Sequence, residues 1–434
     1  MGLEPFHQVV LLGQVLATGN HGPGKESLTS GRDNQQFFLN VQTQKGFLTS
    51  MPRTTGTYTV TAVGDERVRA FTPHPLPPKR PALALDAKGE KALQAAMAAL
   101  GRLEIAGTMV PSQDWFLYGF IRKEALVSSQ IEGTQATLED IVAFEATRTS
   151  LRPADVEEVC NYIDALAYAR RELARPKGLP LCQRLLCATH RRLLKGARGA
   201  EKQPGTVRTS QNWIGGARPG KARFVPPPPA HVPGALADLG KWIHGSSPLP
   251  PLVKAGLAHA QFETIHPFLD GNGRVGRLLI TLLLEHWQLL SAPLLYLSLA
   301  FKKHRPAYYR RLDAIRTRGD WEGWTRFFLD CVTEAADDAV QAARRLFNQV
   351  NADRRNVAAH KAATVPTVRL FDHLTRHPML TSKTARKLLE STKPTTGKAL
   401  DALVQAGVLE EITGKKRDRV FAYRAYLDIL AEDT

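Results

Sequence analysis

The sequence predicts an all-α, mainly helical protein that carries a small β-hairpin flap and ends in a winged helix-turn-helix. Three observations lead to this fold class. Apolar residues recur at helical spacing over most of residues 86–360. The segment 205–229 combines a Gly-Gly pair with four consecutive prolines, which favours an extended loop or hairpin. Residues 365–430 show three short helical patterns followed by two short strand patterns.

The first 50 residues differ from the rest of the chain. They are rich in Gly, Gln, Asn, Ser and Thr and show no sustained hydrophobic period. We expect residues 1–50 to be a disordered extension or a mis-assigned start, with Met51 as the true first residue. No basic segment precedes the apolar stretch 6–17, so a signal peptide is not expected.

Residues 51–175 are predicted to form an N-terminal helical region that opens with a hairpin. Thr and Val alternate over residues 56–72 around a Gly-Asp turn, which is typical of two paired strands. A proline-rich stretch ends the hairpin, and amphipathic helical patterns follow. Residues 176–360 are predicted to hold the catalytic core and the helices that follow it.

Composition narrows the range of partners. The formal charge of +17 favours polyanions such as nucleoside triphosphates, nucleic acid or acidic protein surfaces. The four cysteines lack metal-binding spacing, which is typical of reduced thiols in a cytoplasmic protein. No apolar run approaches the roughly 18–20 residues of a membrane span, so no membrane partner is expected.

The most informative segment is the site loop, residues 266–277, which lies between two predicted helices. Gly271 and Gly273 flank Asn272, so several backbone N–H groups can face one point. The helix that follows adds its positive N-terminus, a favourable position for an anion. Arg274 and Arg277 are three residues apart and share a helix face, where two guanidinium groups can hold more than one phosphate.

Two further residues of the site loop supply acid–base and metal chemistry. Asp270 offers a hard oxygen ligand for a Mg²⁺ ion that bridges phosphates. His266 is suited to accept a proton from an attacking hydroxyl, because the unperturbed pKa of a histidine lies near neutrality.

Competing interpretations of this region fit less well. The glycine spacing G-x-G-x-x-G follows a helix rather than the strand that a dinucleotide-binding turn needs, and no Gly-Lys-Ser/Thr is present. A metal hydrolase would use His259, Glu263 and His266, but their spacing is not H-E-x-x-H.

The site loop reads H-P-F-L-D-G-N-G-R-V-G-R and resembles the full Fic family signature, H-P-F-x-D/E-G-N-G-R-x-x-R. The resemblance implies a mainly helical enzyme that transfers AMP from ATP to a Tyr, Thr or Ser hydroxyl of a target protein. It also implies that His266 is the general base and Asp270 the Mg²⁺ ligand. We predict eight nucleotide-binding residues, some of which the resemblance implies. They are Gly271, Asn272, Gly273, Arg274, Val275, Gly276, Arg277 and Tyr309.

A second motif precedes the catalytic region. Ser128 and Glu132 are four apart on one helix face, and Gly133 is expected to end that helix. The segment resembles the Fic inhibitory motif S/T-x-x-x-E-G/N, which implies that Glu132 pairs with Arg277 and keeps the γ-phosphate from its productive place. A solvated glutamate at a helix end is the alternative. In some relatives the same glutamate supports removal of AMP.

The flap segment, residues 205–229, resembles the hairpin that covers the active site in this family. An exposed strand edge there could pair with an extended stretch of the target, although a surface loop is the alternative. Residues 304–309 read H-R-P-A-Y-Y where relatives carry N-R-x-x-Y-Y, so His304 departs from the pattern. Either Tyr308 or Tyr309 contacts adenine, or both belong to the core.

The C-terminal unit, residues 365–430, is predicted to be a winged helix-turn-helix. Helical patterns cover residues 368–374, 381–389 and 395–404, and strand patterns cover 408–412 and 420–423. The basic turn between the strands could meet DNA phosphates, but this unit is only modestly basic. Dimerisation and target docking are alternatives, and a homodimer is a family-level expectation. The second functional hypothesis is a DNA-binding transcriptional regulator whose catalytic domain senses nucleotide.

Overall fold

A computed structural model of the chain describes residues 53–108, 114–415 and 417–434. Residues from Pro52 to Thr434 pack as one unit. The predictions for residues 1–50, including the start at Met51, lie outside the described residues. Among the helices of the described ranges, none combines the length and apolar character that a membrane crossing requires.

The predicted N-terminal hairpin is confirmed. Strands β1 (Gly56–Val63) and β2 (Glu66–Pro73) pair antiparallel, with Val63 opposite Glu66 beside the turn. The inner face of β2 packs against the flap segment, and the N–H of Phe71 donates to the carbonyl of Val225 over 2.9 Å. The hairpin therefore supports the flap.

Five helices form the N-terminal half of the helical body. They are α1 (Ala87–Thr108), α2 (Asp114–Ile131), α3 (Leu138–Thr147), α4 (Pro153–Ala174) and α5 (Gln183–Leu193). Helix α3 begins where Thr137 and Asp140 form a reciprocal capping box. Helix α2 packs against α4, so its C-terminal end is held beside the catalytic core.

Six helices form the catalytic half. They are α6 (Val232–His244), α7 (Pro251–Ile265), α8 (Asn272–His286), α9 (Ser298–Lys303), α10 (Arg305–Arg318) and α11 (Trp321–Ala359). Helix α7 is buried from Leu252 to Ile265 because α6, α8 and α11 surround it. Trp324 of α11 donates its indole N–H to the carbonyl of Gly256 over 2.9 Å and anchors this central helix.

The C-terminal unit contains four helices and three short strands. In chain order they are α12 (Val365–His373), β3 (Met379–Thr381), α13 (Ser382–Leu389), α14 (Lys393–Gln405), β4 (Glu410–Glu411), β5 (Val420–Ala422) and α15 (Arg424–Ala431). The strands form an antiparallel sheet in the order β3-β5-β4. The sequence patterns did not predict β3 or α15, and β4 is shorter than expected.

The last helix connects the C-terminal unit to the helical body. Helix α15 buries Tyr426, Leu427 and Leu430 and packs against α2, α3 and α11. Leu430 lies beside Gly119 of α2, where a side chain on residue 119 would collide with it. The mainly helical fold class is confirmed, whereas the winged helix-turn-helix and its DNA-binding role stay predictions.

Candidate active site

The site loop joins the end of α7 to the start of α8. Helix α7 ends at Ile265, and the next residue, His266, adopts a left-handed conformation with φ of 49° and donates its N–H to the carbonyl of Phe262. Gly271 also has a positive φ, 75°, and α8 begins directly after it. The two left-handed residues turn the chain sharply between the two helices.

Asn272 closes the site loop from inside. Its side-chain amide donates to the carbonyl of Phe268, and its side-chain carbonyl accepts the N–H of the same residue, both over 2.8 Å. This reciprocal pair commits the Asn272 side chain to the loop. The predicted contact of that side chain with phosphates remains a prediction.

His266 is the predicted proton acceptor. The surroundings of its side chain favour the neutral imidazole. Burial lowers the pKa of His266 to about 4, and the charge of Arg208 adds to this effect. The ring is therefore neutral at pH 7, the form that can take a proton. The left-handed backbone places it at the mouth of the loop rather than on the regular face of α7.

The anion cradle is predicted at the first turn of α8. No side chain caps the helix start, which leaves backbone N–H groups of this turn available to an anion. Arg274 is 3% exposed, and its Nε and Nη1 atoms have no hydrogen-bond partner among the described residues. Its Nη1 atom lies 3.6 Å from a carboxylate oxygen of Glu158 on α4. A buried cation with unused donors is suited to a phosphate.

Arg277, the second arginine, is held by α2. Its Nε donates to the hydroxyl of Ser128 over 2.9 Å, and its Nη2 donates to the Ser128 carbonyl over 2.8 Å and to Glu132 over 2.7 Å. Arg277 is buried, whereas 36% of the Glu132 side chain remains accessible because it faces the cleft. The structure thus brings together the three residues of the predicted inhibitory contact.

Both residues of the Glu132–Arg277 pair are charged. Burial opposes ionisation of Glu132, but the positive charge of Arg277 outweighs it and lowers the pKa of the carboxyl. Burial likewise opposes the charge of Arg277, and Glu132 more than compensates by raising the pKa of the guanidinium. Gly133 follows with φ of 104°, so a glycine is required at the turn that leaves α2. A side chain at position 273 would collide with the Glu132 carboxylate, so this position also requires glycine.

Asp270 is fixed at the middle of the site loop. Its Oδ1 atom accepts the N–H of Gly271 over 2.6 Å. The backbone carbonyl of Asp270 accepts a hydrogen bond from Nε2 of His190 over 2.9 Å, while Nδ1 of that ring accepts the N–H of Gly205 over 2.8 Å. His190 also stacks on Phe268, with ring centroids 3.9 Å apart. It is a positioning residue that no sequence pattern indicated.

The two tyrosines of the H-R-P-A-Y-Y segment have different places. Tyr308 is 1% exposed, and its hydroxyl donates to Nε2 of His259, whose Nδ1 donates to the carbonyl of Gly276. Tyr308 is therefore part of the core. Tyr309 is half-buried and close enough to Glu132 for that carboxylate to raise the pKa of the phenol, after the larger effect of burial. Its contact with adenine stays a prediction.

Glu263 is a buried carboxyl that the sequence motif did not assign. Burial raises its pKa to about 7, and Arg277 opposes that rise. Its Oε1 atom has no hydrogen-bond partner among the described residues, and it packs against Gly276. The structure gathers no group of three His, Cys, Asp or Glu side chains suited to hold a metal within the described ranges. The arrangement of His259, Glu263 and His266 thus lacks support as a hydrolytic metal centre.

The flap segment lies against the site loop. It forms one antiparallel bridge, between Ile214 and Phe224, rather than two regular strands. The side chain of Asn212 donates to the carbonyl of Phe268 over 3.0 Å and ties the first arm of the flap to the loop. Trp213, the next residue, is 38% exposed. The polyproline stretch 226–229 explains the lack of a longer ladder, since proline has no N–H to donate.

Comparison with known proteins places this site in a family. The model described as "Fic/DOC family N-terminal" matches residues 90–171, and the model described as "Fic/DOC family" matches residues 180–284. The chain carries a Fic/DOC N-terminal region and a Fic/DOC domain. The second match spans α5 to α8 and contains the whole site loop, and the first contains Ser128 and Glu132.

Curated relatives agree with this family. The chain is 29% identical over 231 residues to protein adenylyltransferase Fic of Drosophila ananassae and 28% identical over 225 residues to that of Drosophila melanogaster. Each match covers 51% of this chain and 42% of the relative, so the chain spans less than half the length of the relatives it matches. A solved Fic family protein from Desulfovibrio desulfuricans G20 shares the fold, with a TM-score of 0.53 and 23% identity over 79% of this chain and 97% of its own.

Proposed function

We propose that this Fic protein is an adenylyltransferase that moves AMP from ATP to a Tyr, Thr or Ser hydroxyl of a target protein. One observation carries the proposal: a neutral histidine, a carboxylate and two buried arginines converge on an uncapped helix start. The names of the curated relatives support the same activity. The second hypothesis, a nucleotide-sensing regulator, uses the same cleft without the proton acceptor.

The reaction follows from the placement of these groups. The target hydroxyl oxygen attacks the α-phosphorus of ATP, and its proton passes to the imidazole of His266. A new oxygen–phosphorus bond forms while the bond from the α-phosphorus to the α–β bridging oxygen breaks, and pyrophosphate leaves. Backbone N–H groups at the start of α8, with Arg274, would hold the phosphates in line.

The residues present fit a Mg²⁺ ion shared with the substrate. Mg²⁺ at such sites takes one or two carboxylates together with phosphate oxygens and water, so a single aspartate is sufficient. Asp270 supplies that carboxylate, since its second oxygen is not committed to the hydrogen bond with Gly271. The ion would offset the negative charge of the phosphates when it is bound.

We further propose that Glu132 restrains this activity. While Arg277 donates to Glu132 and Ser128, its guanidinium is not free for the γ-phosphate. The carboxylate of Glu132 also repels a phosphate placed beside it. Removal of AMP with the help of Glu132, DNA binding by the C-terminal unit and homodimerisation stay predictions.

The test uses ATP labelled at either the α- or the γ-phosphate. The Glu132→Gly form is incubated with each label and with cell lysate, and the Glu132→Gly/His266→Ala double variant is the matched control. We expect the α-label on protein, the γ-label only in pyrophosphate, and neither on protein with the control. Transfer of the γ-label would indicate phosphorylation instead, and no transfer of either label would favour the nucleotide-sensing regulator. Mass spectrometry of the labelled proteins then identifies the target and the modified residue.

A further inference from the structure

Arg208, near the start of the flap segment, occupies an unusual environment. It is 1% exposed, and all its hydrogen bonds go to backbone carbonyls. Within the residues that the structure describes, it forms no ion pair with a carboxylate, unlike Arg274 and Arg277. Burial lowers the pKa of Arg208 to about 10, so the guanidinium is still charged at neutral pH.

Such a charge is costly to bury. A cation removed from water without a counter-ion is tolerated only where several hydrogen bonds satisfy it. A neutral side chain of similar size would fill this volume without that cost. The contribution of Arg208 therefore lies in the backbone carbonyls that its guanidinium binds.

The donors of Arg208 hold the backbone around the catalytic histidine. Its Nε donates to the carbonyl of His266 over 2.9 Å, and its Nη2 lies 3.5 Å from the carbonyl of Ile265. Its own backbone N–H donates to the carbonyl of Pro267 over 2.9 Å. The carbonyls of three consecutive residues, from 265 to 267, thus accept hydrogen bonds from Arg208.

This is also where the backbone needs support. His266 has φ of 49°, and a non-glycine residue in the left-handed region is strained unless the surroundings fix it. Without the fork of Arg208, the chain could relax at this residue, and the imidazole would move with it. A displacement of about 1 Å at a reacting group is enough to cost about 100-fold in rate.

The same guanidinium reaches both arms of the flap. Its Nη2 donates to the carbonyl of Pro227 over 2.6 Å, and its Nη1 donates to that of Ser210 over 3.3 Å. Pro227 belongs to the second arm and Ser210 to the first. One rigid planar group therefore connects the backbone of the base to the segment proposed to clamp the target.

We propose that Arg208 is a positioning residue that fixes the backbone of His266 and couples its placement to the two arms of the flap. The proposal rests on the proposed function, in which His266 is the base. Arg208 acts through His266 and does not touch the nucleotide.

The charge of Arg208 gives the proposal a second, independent readout. The groups that act on the imidazole are Arg208 from the flap, Glu132 from the turn after α2, Arg316 from α10 and the backbone carbonyl of Glu263 on α7. After burial, Arg208 has the largest influence and favours the neutral ring. Loss of its charge should therefore raise the pKa of His266 beyond any change that loss of the fork alone produces.

Two substitutions separate the fork from the charge, both made in the Glu132→Gly form. Arg208→Lys keeps a cation and loses the planar fork, and Arg208→Met keeps the volume and loses both. Arg170→Lys, on α4 and paired with Glu285, is the control for replacing a half-buried arginine. For Arg208→Lys we expect kcat to fall about 10- to 100-fold while KM for ATP changes less than about threefold. A kcat equal to that of the parent would overturn the proposal, and so would a rise in KM with kcat intact.

A measurement without substrate distinguishes this proposal from the proposed function. The His266 ring is titrated by NMR in the parent, Arg208→Lys and Arg208→Met forms, with circular dichroism to confirm that each is folded. We expect the pKa of His266 to rise in Arg208→Met and to lie about 0.5 or more above its value in Arg208→Lys, because only the Met form loses the charge. An unchanged pKa in the folded Met form would contradict the coupling. If the parent transfers no AMP, the proposed function fails, and the titration still decides the role of Arg208.

Discussion

Removal of the Glu132 carboxylate is the perturbation that the structure describes most completely. In the resting chain Arg277 spends one of its hydrogen bonds on Glu132, at 2.7 Å, and two on Ser128. Glu132→Gly removes one acceptor and one negative charge from the cleft. Helix α2 already ends at Ile131, so a glycine at position 132 does not interrupt it.

The size of the effect follows from two contributions. A hydrogen bond between charged groups is worth about 1.5–3 kcal/mol when buried, and the accessibility of Glu132 reduces this to about 1–2 kcal/mol. Repulsion between the carboxylate and a γ-phosphate about 4 Å away adds about 1 kcal/mol in a water-like surrounding. Together these amount to about 2–3 kcal/mol, or about 30- to 150-fold in the rate at limiting ATP.

The assay is the initial rate of α-label transfer from ATP to the chain itself or to lysate proteins. Glu132→Gly should exceed the parent by the stated factor, and Glu132→Gln, which loses only the charge, should lie between them. Glu139→Gln is the matched control, since Glu139 is an exposed glutamate of α3 that pairs with Arg424. Equal rates for the parent and Glu132→Gly, with both forms folded, would show that Glu132 does not restrain the transfer.

Three further predictions concern His266, its buried neighbours and the helix crossing beneath them. Because the pKa of His266 is about 4, transfer should stay constant from pH 8 to about 5; a half-maximal rate near pH 6.5 in kcat/KM profiles would contradict this. The folded-state pKa values of His190, His259 and His266, about 4, 3 and 4, lie below the unfolded value, so each contributes stability above pH 6.5 that is lost on acidification. Glu263, with its pKa raised to about 7, gains stability on acidification and offsets one of the three histidines. The net effect is that the unfolding free energy should fall by about 2–3 kcal/mol per pH unit below pH 6. A urea midpoint that stays constant from pH 6.5 to 5 would contradict this. Gly276→Ala places a Cβ against Glu263 Oε1 and should lower the unfolding free energy by about 1–3 kcal/mol, as measured by urea titration. Unchanged stability would show that α7 and α8 leave room for a methyl group where they cross.

The fold class and the N-terminal hairpin could be predicted because their signals are local. Helical periodicity marks the body, and alternation around a Gly-Asp turn marks β1 and β2. Strand β3 and helix α15 escaped prediction for a physical reason. A three-residue strand has too few residues to alternate, and α15 exists because it buries Leu430 against α2, a contact far away in sequence.

Within the candidate site, sequence reasoning reached the loop but not its supports. Glycine placement and the two arginines follow from the motif, and the pair of Glu132 with Arg277 follows from the resemblance. His190, Glu158 and Arg208 come from other segments and carry no pattern of their own. Their contributions depend on burial and on backbone carbonyls of the loop, which only the tertiary structure brings within reach.

The most direct test of the central claim is a crystal structure of the Glu132→Gly form with a non-hydrolysable ATP analogue and Mg²⁺. We expect the triphosphate at the start of α8, the ion on Asp270, Arg277 turned toward the γ-phosphate and the imidazole of His266 facing the α-phosphorus. A nucleotide bound at another place, or an imidazole turned away from the α-phosphorus, would contradict it.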